Sequence, residues 1–302
     1  MKFGRIDPSL LQMAQLQLPP DPAMNAGVLK GKSATAPAIY LGCTQWKCDA
    51  WLGKIYPANI KDADIVDTYI RQFNSIEMNA MHYRIFPAET VKKWVAKVKG
   101  RSFKFCPKFP QSISHYSQFT NATQQTQQFL ESIEALHPHL GPSFLQVSEG
   151  LSPAMQAPLM EYLASLPRHL SFFVELRHPD WYTTDIQQQT AQLLQQHSIG
   201  WVITDAPGRR DVCHMQLTTD IVLVRFLGNN LHPTDYTRID AWIERIHHWV
   251  KNGVREVYFF MHHPEEEGAP ELIDYMAQRL QLQTGIMCKR PQFLPKQSAL
   301  FE

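Results

Sequence analysis

Four side chains capable of polar chemistry lie close together after a short apolar run, in the sequence FFVELRHPDW at residues 172–181. They are the carboxylate of Glu175, the guanidinium of Arg177, the imidazole of His178 and the indole of Trp181. The apolar run is typical of a strand buried on both faces, and residues two apart on a strand share a face. Glu175 and Arg177 should therefore point the same way, which in a barrel is inward. By itself this pair could equally be a structural ion pair at a strand end.

Most of the other strand-like runs also end in polar side chains. Those side chains are Glu77, Asn79, Lys108, Gln146, Asp205, Arg225, His262 and His263. Burying charge is unfavourable unless the charge is paired, so a barrel that needed only stability would have little reason to collect so many at one rim. The pattern favours a ligand site, and a network of ion pairs that fills the barrel mouth is the alternative.

The residue types indicate how such a site would work. Lys108, Arg177 and Arg225 suggest a ligand with a carboxylate or phosphate group, because a guanidinium presents a planar fork to such anions. The candidates for proton transfer near neutral pH are Glu175, His178 and Asp205. The residues expected to contact the substrate, besides the three cations, are Glu77, Asn79, His115, Gln146, Trp181 and His263.

A divalent metal ion is the alternative chemistry. Glu175, Asp205 and one histidine of the pair at 262–263 are side chains of the types that bind such ions. The sequence has no H-E-x-x-H and no paired C-x-x-C, which are the spacings that would predict zinc. We therefore predict no metal ligands, and the leading interpretation requires no cofactor, with a divalent ion left open.

The composition describes an ordinary globular protein. The chain has 302 residues, of which 44% are hydrophobic and 19% charged, and its 29 basic and 28 acidic residues give a net charge of +1. This balance disfavours nucleic acid or an anionic membrane as a partner, except through a local patch. The sequence has no apolar run long enough to span a membrane, no apolar core of a signal peptide and five scattered cysteines. These features predict a cytoplasmic protein with reduced thiols and leave its oligomeric state open.

The elements that would position these groups alternate as in parallel βα units. Strand-like runs lie at residues 39–43, 75–79, 103–108, 143–147, 172–176, 200–205, 221–226 and 257–261. Helical periodicity follows nearly all of them, at 62–73, 87–98, 120–136, 153–166, 184–196, 235–251 and 270–280. Eight such units are what an α/β barrel requires, and the first strand lacks the glycine-rich loop of a doubly wound sheet. The sequence therefore predicts a single-domain (β/α)8 TIM-like barrel at 38–284, between an N-terminal extension at 1–37 and a tail at 285–302.

Several motifs resemble the YecE-like family, a domain of unknown function with an α/β barrel fold, over roughly residues 39–284. The most specific are the Trp51-Leu52-Gly53-Lys54-Ile55-Tyr56-Pro57 loop and the segment Val174-Glu175-Leu176-Arg177-His178. Further matches are Ile76-Glu77-Met78-Asn79, Lys108, Ser114-His115, Leu145-Gln146 and Asp205-Ala206-Pro207. The resemblance implies the barrel but no reaction, because the family has no assigned one.

Three segments depart from the family pattern. Cys43-Thr44-Gln45-Trp46 stands where the family usually has Thr-Ser-Gly-Trp, and Arg225-Phe226-Leu227-Gly228 lacks the histidine of Arg-x-His-Gly. Met261-His262-His263 replaces a Phe-Asn-Asn pattern. These departures leave open whether this branch shares its ligand or its chemistry with the rest of the family.

Taken together, the residues predict an enzyme of unknown reaction that uses acid–base chemistry on a small polar, anionic substrate at the C-terminal mouth of the barrel. One alternative is a metal-dependent isomerase or a phosphodiesterase or endonuclease-like barrel. The other is a protein that binds a small molecule in the same pocket without converting it.

Overall fold

A computed structural model describes residues 3–31 and 35–295 of the chain. The strands in these ranges are all parallel to their neighbours. They are β1 (Ala38–Cys43), β2 (Ser75–Met78), β3 (Lys104–Pro107), β4 (Ser143–Gln146), β5 (Phe172–Glu175), β6 (Gly200–Trp201), β7 (Ile203–Asp205), β8 (Ile221–Leu227) and β9 (Glu256–His262). Only Val202 separates β6 from β7, so these two segments form one interrupted strand.

The α-helices lie between the strands and after the last one. They are α1 (Ile65–Gln72), α2 (Ala80–Tyr83), α3 (Ala88–Val98), α4 (Thr123–Glu134), α5 (Gln156–Ala164), α6 (Thr184–Gln196), α7 (Pro233–Lys251) and α8 (Ala269–Thr284). As the sequence suggested, the described chain has no helix between β7 and β8. No helix in the described ranges is long and apolar enough to cross a membrane.

The strands close into a barrel. One sheet has the order β3-β2-β1-β9-β8-β7, and a second has the order β4-β5-β6. The sheets share the interrupted strand on one side, and isolated bridges pair Phe105 with Leu140 and Lys108 with Phe144 on the other. The predicted TIM-like (β/α)8 barrel is therefore confirmed, with β6 and β7 together as its sixth strand.

Close contact between β1 and β2 depends on a glycine. A Cβ atom added at Gly42 would lie 2.1 Å from the carbonyl oxygen of Ser75. Any other residue at this position would therefore push the two strands apart.

Helix α7 shows how the outer layer is held against the barrel. Its apolar residues recur at intervals of three and four positions, at Ile239, Trp242, Ile243, Ile246 and Trp249, and all are buried. This spacing places them on one helix face. Burial of each such side chain contributes about 1.5–3 kcal/mol.

The start of α4 differs from the sequence prediction. The periodicity suggested a helix from Thr120, whereas α4 begins at Thr123. The preceding residues Gln118, Phe119 and Asn121 have φ angles of 45°, 72° and 53°. These left-handed conformations cannot continue an α-helix, so the helix begins after them.

The N-terminal segment packs along the barrel. The short helix suggested between Leu10 and Leu16 is replaced by two 3-10 turns, at Pro8–Leu10 and Met13–Gln15. Further along, Asp21 accepts hydrogen bonds from Arg245 at 2.7 Å and from the Trp249 indole at 3.1 Å. These contacts attach the segment to α7 on the outside of the barrel.

Candidate functional site

The inner face of the barrel carries an apolar layer beneath a polar one. The apolar layer includes Cys106, Phe144, Phe173, Val202, Leu223 and Phe260, which are buried together. Two residues further along each of these strands, on the same face, the side chain is polar. The polar layer, which we call the polar ring, consists of Glu77, Lys108, Gln146, Glu175, Thr204, Arg225 and His262.

Arg225 is the centre of the polar ring. Its Nε and Nη2 atoms donate to the two carboxylate oxygens of Glu77 at 2.9 and 2.8 Å. Its Nη1 atom donates to Oε2 of Glu175 at 2.5 Å. The guanidinium is 2% exposed, so these are buried ion pairs. We expected Arg225 to hold an anionic ligand, but two carboxylates of the protein already occupy this position.

Glu175 receives several further hydrogen bonds. Arg177 donates to its Oε1 atom at 3.1 Å, which confirms that these two side chains share a face. Thr204 donates to the same oxygen at 3.2 Å, and Gln146 donates to Oε2 at 2.8 Å. With every carboxylate oxygen accepting at least one strong donor, Glu175 is fixed in one orientation.

Both carboxylates of the ring stay ionised. Burial alone would raise the pKa of Glu175, but the charges of Arg177 and Arg225 outweigh it and lower this pKa to about 2. Burial is likewise outweighed at Glu77, where Arg225 and His262 hold the pKa well below its usual range. A carboxylate with so low a pKa is a weak proton acceptor at neutral pH. Glu77 and Glu175 therefore act as fixed negative charges.

Lys108 is the member of the ring that titrates near neutral pH. Its Nζ atom donates to Oε1 of Gln146 at 2.9 Å, and the residue is 7% exposed. Among the described residues it makes no ion pair with a carboxylate within 4.0 Å. Burial, with the nearby charge of Arg225, lowers the pKa of Lys108 to about 7, although Glu77 and Glu175 partly oppose this.

Three histidines near the ring are neutral at pH 7. The Nε2 atom of His262 lies 3.0 Å from the Oε2 atom of Glu77. Burial lowers the pKa of His262 to about 4, although the Glu77 carboxylate opposes this. His82 lies 2.8 Å from the Phe109 carbonyl oxygen through Nδ1, and burial and Lys108 lower its pKa to about 4. The His115 ring lies 5.1 Å from that of His82, and burial, Lys108 and Arg177 lower its pKa too.

Arg177 extends from the ring toward the N-terminal segment. Its guanidinium carbon lies 4.2 Å from the centre of the Phe3 ring, and that of Arg209 lies 4.9 Å from the same ring. Phe3 is 8% exposed, so the N-terminal segment covers this part of the barrel mouth. Stacking of this kind contributes about 0.5–2 kcal/mol per cation.

Several residues expected at the site thus lie together, while four others lie elsewhere. Asp205 faces outward, where it accepts a 2.8 Å hydrogen bond from the Trp242 indole and pairs with Arg238 at 3.5 Å. His178 begins a 3-10 turn and accepts from the Asp180 amide at 3.3 Å. Asp205 turns away because neighbours on a strand alternate between its faces, whereas His178 lies in the turn beyond the end of β5.

The remaining two of these four residues, Trp181 and His263, stabilise loops. The Trp181 indole is fully buried and donates to the Leu151 carbonyl oxygen at 2.7 Å, so it joins two loops. His263 packs against Gly268, whose amide donates to its Nδ1 atom at 3.1 Å. Its neighbour His262 takes the ring position instead, because it shares a strand face with Phe260.

Four residues near the ring were not among those expected to contact the substrate, although His262 was among the polar residues at the strand ends. Thr204 and His262 could have been found from alternation, since each lies two positions after an inward apolar residue. His82 comes from the short helix α2, and Glu266 from the turn after β9. Nothing in the local sequence of these last two distinguishes them from surface loop residues.

Asn79 joins the ring from the end of β2. Its Nδ2 atom donates to Oε1 of Glu77 at 2.9 Å. The same atom lies 3.4 Å from the carbonyl oxygen of Thr44, so it connects the ring to the loop after β1.

The described carboxylates, histidines and cysteines do not converge on a metal site. Within the described ranges, no three His, Cys, Asp or Glu side chains form a group that could hold a metal ion. Glu175 and Asp205, which we considered as joint ligands, lie on opposite sides of the barrel wall.

Comparison with known proteins places the chain among uncharacterised relatives. The family described as "Protein of unknown function DUF72" matches residues 40–298. UPF0759 protein YecE of Escherichia coli (strain K12) is 27% identical over 282 residues, which cover 87% of this chain and 100% of that protein. UPF0759 protein YunF of Bacillus subtilis (strain 168) is 25% identical over 205 residues, covering 64% of this chain and 71% of that protein. A solved DUF72 family protein from Enterococcus faecalis V583 has a TM-score of 0.63 at 22% identity, covering 81% of this chain and 98% of that chain.

Proposed function

The chain belongs to the DUF72 family of proteins of unknown function, and we propose that it binds a small anionic molecule at its barrel mouth and transfers protons there through Lys108. This proposal keeps the substrate class expected from the sequence and changes the residue that carries the proton. The alternative of a metal-dependent barrel gains no support from the arrangement of the described carboxylates and histidines.

The observation that carries the proposal is a buried lysine without a carboxylate partner. An ammonium group has three N–H donors, and in the described structure Gln146 is the acceptor for one of them. A buried cation is unfavourable unless it is paired, so an anion that bound Lys108 would remove much of this penalty. A carboxylate or phosphate oxygen supplies both the negative charge and the missing acceptors.

The net charge of the cluster around Lys108 depends on whether Lys108 is protonated. The carboxylates of Glu77 and Glu175 balance the guanidiniums of Arg225 and Arg177, which leaves these four groups without net charge. Protonated Lys108 therefore gives this cluster a positive charge, and neutral Lys108 removes it. Arg177 lies at the edge of the cluster and is the second cation that we assign to the anion.

The same lysine is suited to acid–base chemistry. A group with a pKa near the working pH is present in both protonation states and can exchange a proton efficiently. The pKa of an amine is lowered by burial and by a neighbouring cation, and both causes act on Lys108. The neutral histidines His82 and His115 lie beside it, and because their pKa values are lowered they are weak proton acceptors, which leaves Lys108 as the group that exchanges the proton.

Inorganic phosphate is the first probe for the anion site. It should raise the melting temperature of the wild-type protein at pH 6.5, because a ligand that binds only the folded state stabilises it. Lys108→Met should lose this effect. Lys104→Met is the matched control, since Lys104 lies on the same strand at the opposite end of the barrel and should leave the effect unchanged.

Proton coupling gives a second readout of the same experiment. Anion binding should be accompanied by proton uptake above pH 7, so the affinity should fall about tenfold per pH unit there. Calorimetry in two buffers of different ionisation enthalpy measures this uptake directly. A phosphate shift that survives in Lys108→Met, or an affinity that is constant between pH 6 and 9, would contradict the proposal.

Catalysis and simple binding differ in what happens to the ligand. A carboxylate or phosphate ester that has an exchangeable C–H next to a carbonyl group should take up deuterium in heavy water if Lys108 transfers protons. Binding without deuterium uptake across a panel of such compounds would support the non-catalytic alternative.

A further inference from the structure

A further buried acid lies at the mouth of the barrel, and it differs from the two of the polar ring. Glu266 is 8% exposed and lies in the 3-10 turn after β9. Its Oε1 atom accepts a 2.7 Å hydrogen bond from the Thr44 hydroxyl. Its Oε2 atom is buried and has no hydrogen-bond partner among the described residues.

The surroundings of Glu266 favour a neutral carboxyl group. Glu77 and Glu175 are even more deeply buried, but both are bound by the guanidinium of Arg225. Glu266 makes no ion pair with a side chain in the described ranges. An ionised carboxylate at this depth would therefore be strongly disfavoured, whereas the protonated acid needs fewer partners.

The titratable groups that face Glu266 reinforce this state. They come from β1, the following loop, α1 and β2, and they are Cys43, Cys48, Tyr69 and Glu77. None of these four groups, which all lie in the described part of the chain, is a cation. Burial and the negative charge of Glu77 together raise the pKa of Glu266 to about 7, although the Thr44 hydrogen bond partly opposes them.

The backbone holds Glu266 in a conformation that needs support. Its φ angle is 60°, in the left-handed region that residues with a Cβ rarely adopt. The buried Trp51 indole donates to its carbonyl oxygen at 2.8 Å, and Lys54 donates to the next carbonyl oxygen, that of Glu267, at 2.8 Å. Such conformations persist only where neighbouring contacts fix them, and they are common at functional sites.

A hydrogen-bonded path joins Glu266 to the polar ring. The Thr44 residue that binds its Oε1 atom also accepts, through its carbonyl oxygen, from Asn79 at 3.4 Å. Asn79 donates to Glu77 at 2.9 Å. Glu266 thus lies on the β9–β1 side of the ring, whereas Lys108 lies at the end of β3.

We propose that Glu266 is a neutral acid that donates its Oε2 proton to an uncharged oxygen of the anion held by Lys108 and Arg177. This inference rests on the proposed function and specifies its substrate class. The ligand carries a carboxylate or phosphate at one end and a hydroxyl or carbonyl oxygen at the other, as hydroxy acids, keto acids and sugar phosphates do. A protonated carboxyl both donates and accepts, which suits such an oxygen.

The protonation state of Glu266 can be measured without any ligand. Protein labelled with carbon-13 at the glutamate side-chain carboxyl should show one resonance that is lost in Glu266→Gln and titrates with a midpoint near pH 7. Glu267→Gln removes an exposed carboxylate of the same loop and should leave that resonance in place. A midpoint below pH 5 would overturn the inference.

The ligand contact is tested by comparing two probes, inorganic phosphate and glycerol phosphate. The wild-type protein should bind the hydroxylated probe about five- to tenfold more tightly than Glu266→Met does, because one hydrogen bond is lost. Both proteins should bind inorganic phosphate equally. Equal binding of glycerol phosphate would refute the contact with Glu266, whereas failure of the wild-type protein to bind either probe would refute the anion site itself.

Discussion

Replacing Lys108 by methionine should make the protein more stable at neutral and acidic pH. Methionine has a similar length and no charge, so the substitution removes the ammonium while it fills most of the same space. The wild-type residue is 7% exposed and has the Gln146 side chain as its acceptor. The folded protein therefore bears a buried cation that the unfolded chain leaves in water.

The size of the effect follows from the pKa of Lys108, which falls from 10.5 to about 7 on folding. Below pH 7 the lysine is protonated in both states, and its burial destabilises the folded protein by roughly 4–5 kcal/mol. Between pH 7 and 10.5 the folded protein has released the proton and the unfolded chain still holds it, so wild-type stability rises with pH relative to Lys108→Met. From pH 6 to 9 the difference in stability between the two proteins should shrink by roughly 2–3 kcal/mol.

The assay is urea unfolding of both proteins at half-unit pH intervals from 6 to 9. The slope with pH is the informative quantity, because the packing of methionine and the loss of the Gln146 hydrogen bond shift all points alike. Lys104→Met, at the opposite end of β3, should follow the wild-type slope. A stability difference between the wild-type protein and Lys108→Met that stays constant from pH 6 to 9 would refute our assignment of a near-neutral pKa to Lys108.

Two further substitutions test the ion pairs on either side of the barrel wall. Arg225→Met leaves Glu77 buried without its guanidinium partner and Glu175 with Arg177 alone, so it should lower the free energy of unfolding by about 3–5 kcal/mol, measured by urea unfolding. A loss below 1 kcal/mol would show that water reaches these carboxylates. Asp205→Asn removes the negative charge that pairs with Arg210 and Arg238, although Arg238 keeps Asp235, and should destabilise by about 3 kcal/mol. Phosphate affinity should be unchanged because Asp205 faces α7. A change in phosphate affinity in this variant would show that Asp205 contributes to the anion site.

The sequence by itself determined the barrel and much of the polar ring. Eight apolar segments that alternate with seven amphipathic ones are typical of a closed parallel sheet covered by helices. The period of two along a strand also predicted that Glu175 and Arg177 share a face, and their 3.1 Å contact confirms it. Both results depend on the periodicity of side chains along a single strand or helix, which the local sequence determines.

The sequence did not predict which of two neighbouring residues at a strand end faces the barrel interior. Asp205 was assigned to proton transfer and His263 to substrate binding, yet their neighbours Thr204 and His262 face the interior. One position along a strand reverses the direction of the side chain, so the exact inward residue depends on how neighbouring strands align. That alignment is a property of the assembled sheet.

The tertiary structure alone decided which charges meet and which groups titrate. Arg225 binds a carboxylate 148 positions away, and this contact removes it from the set of cations available to a ligand. The near-neutral pKa values of Lys108 and Glu266 arise because each is buried beside a charge of its own sign, contributed by a distant segment. Burial and through-space charge are sums over the folded surroundings, so no local sequence pattern contains them.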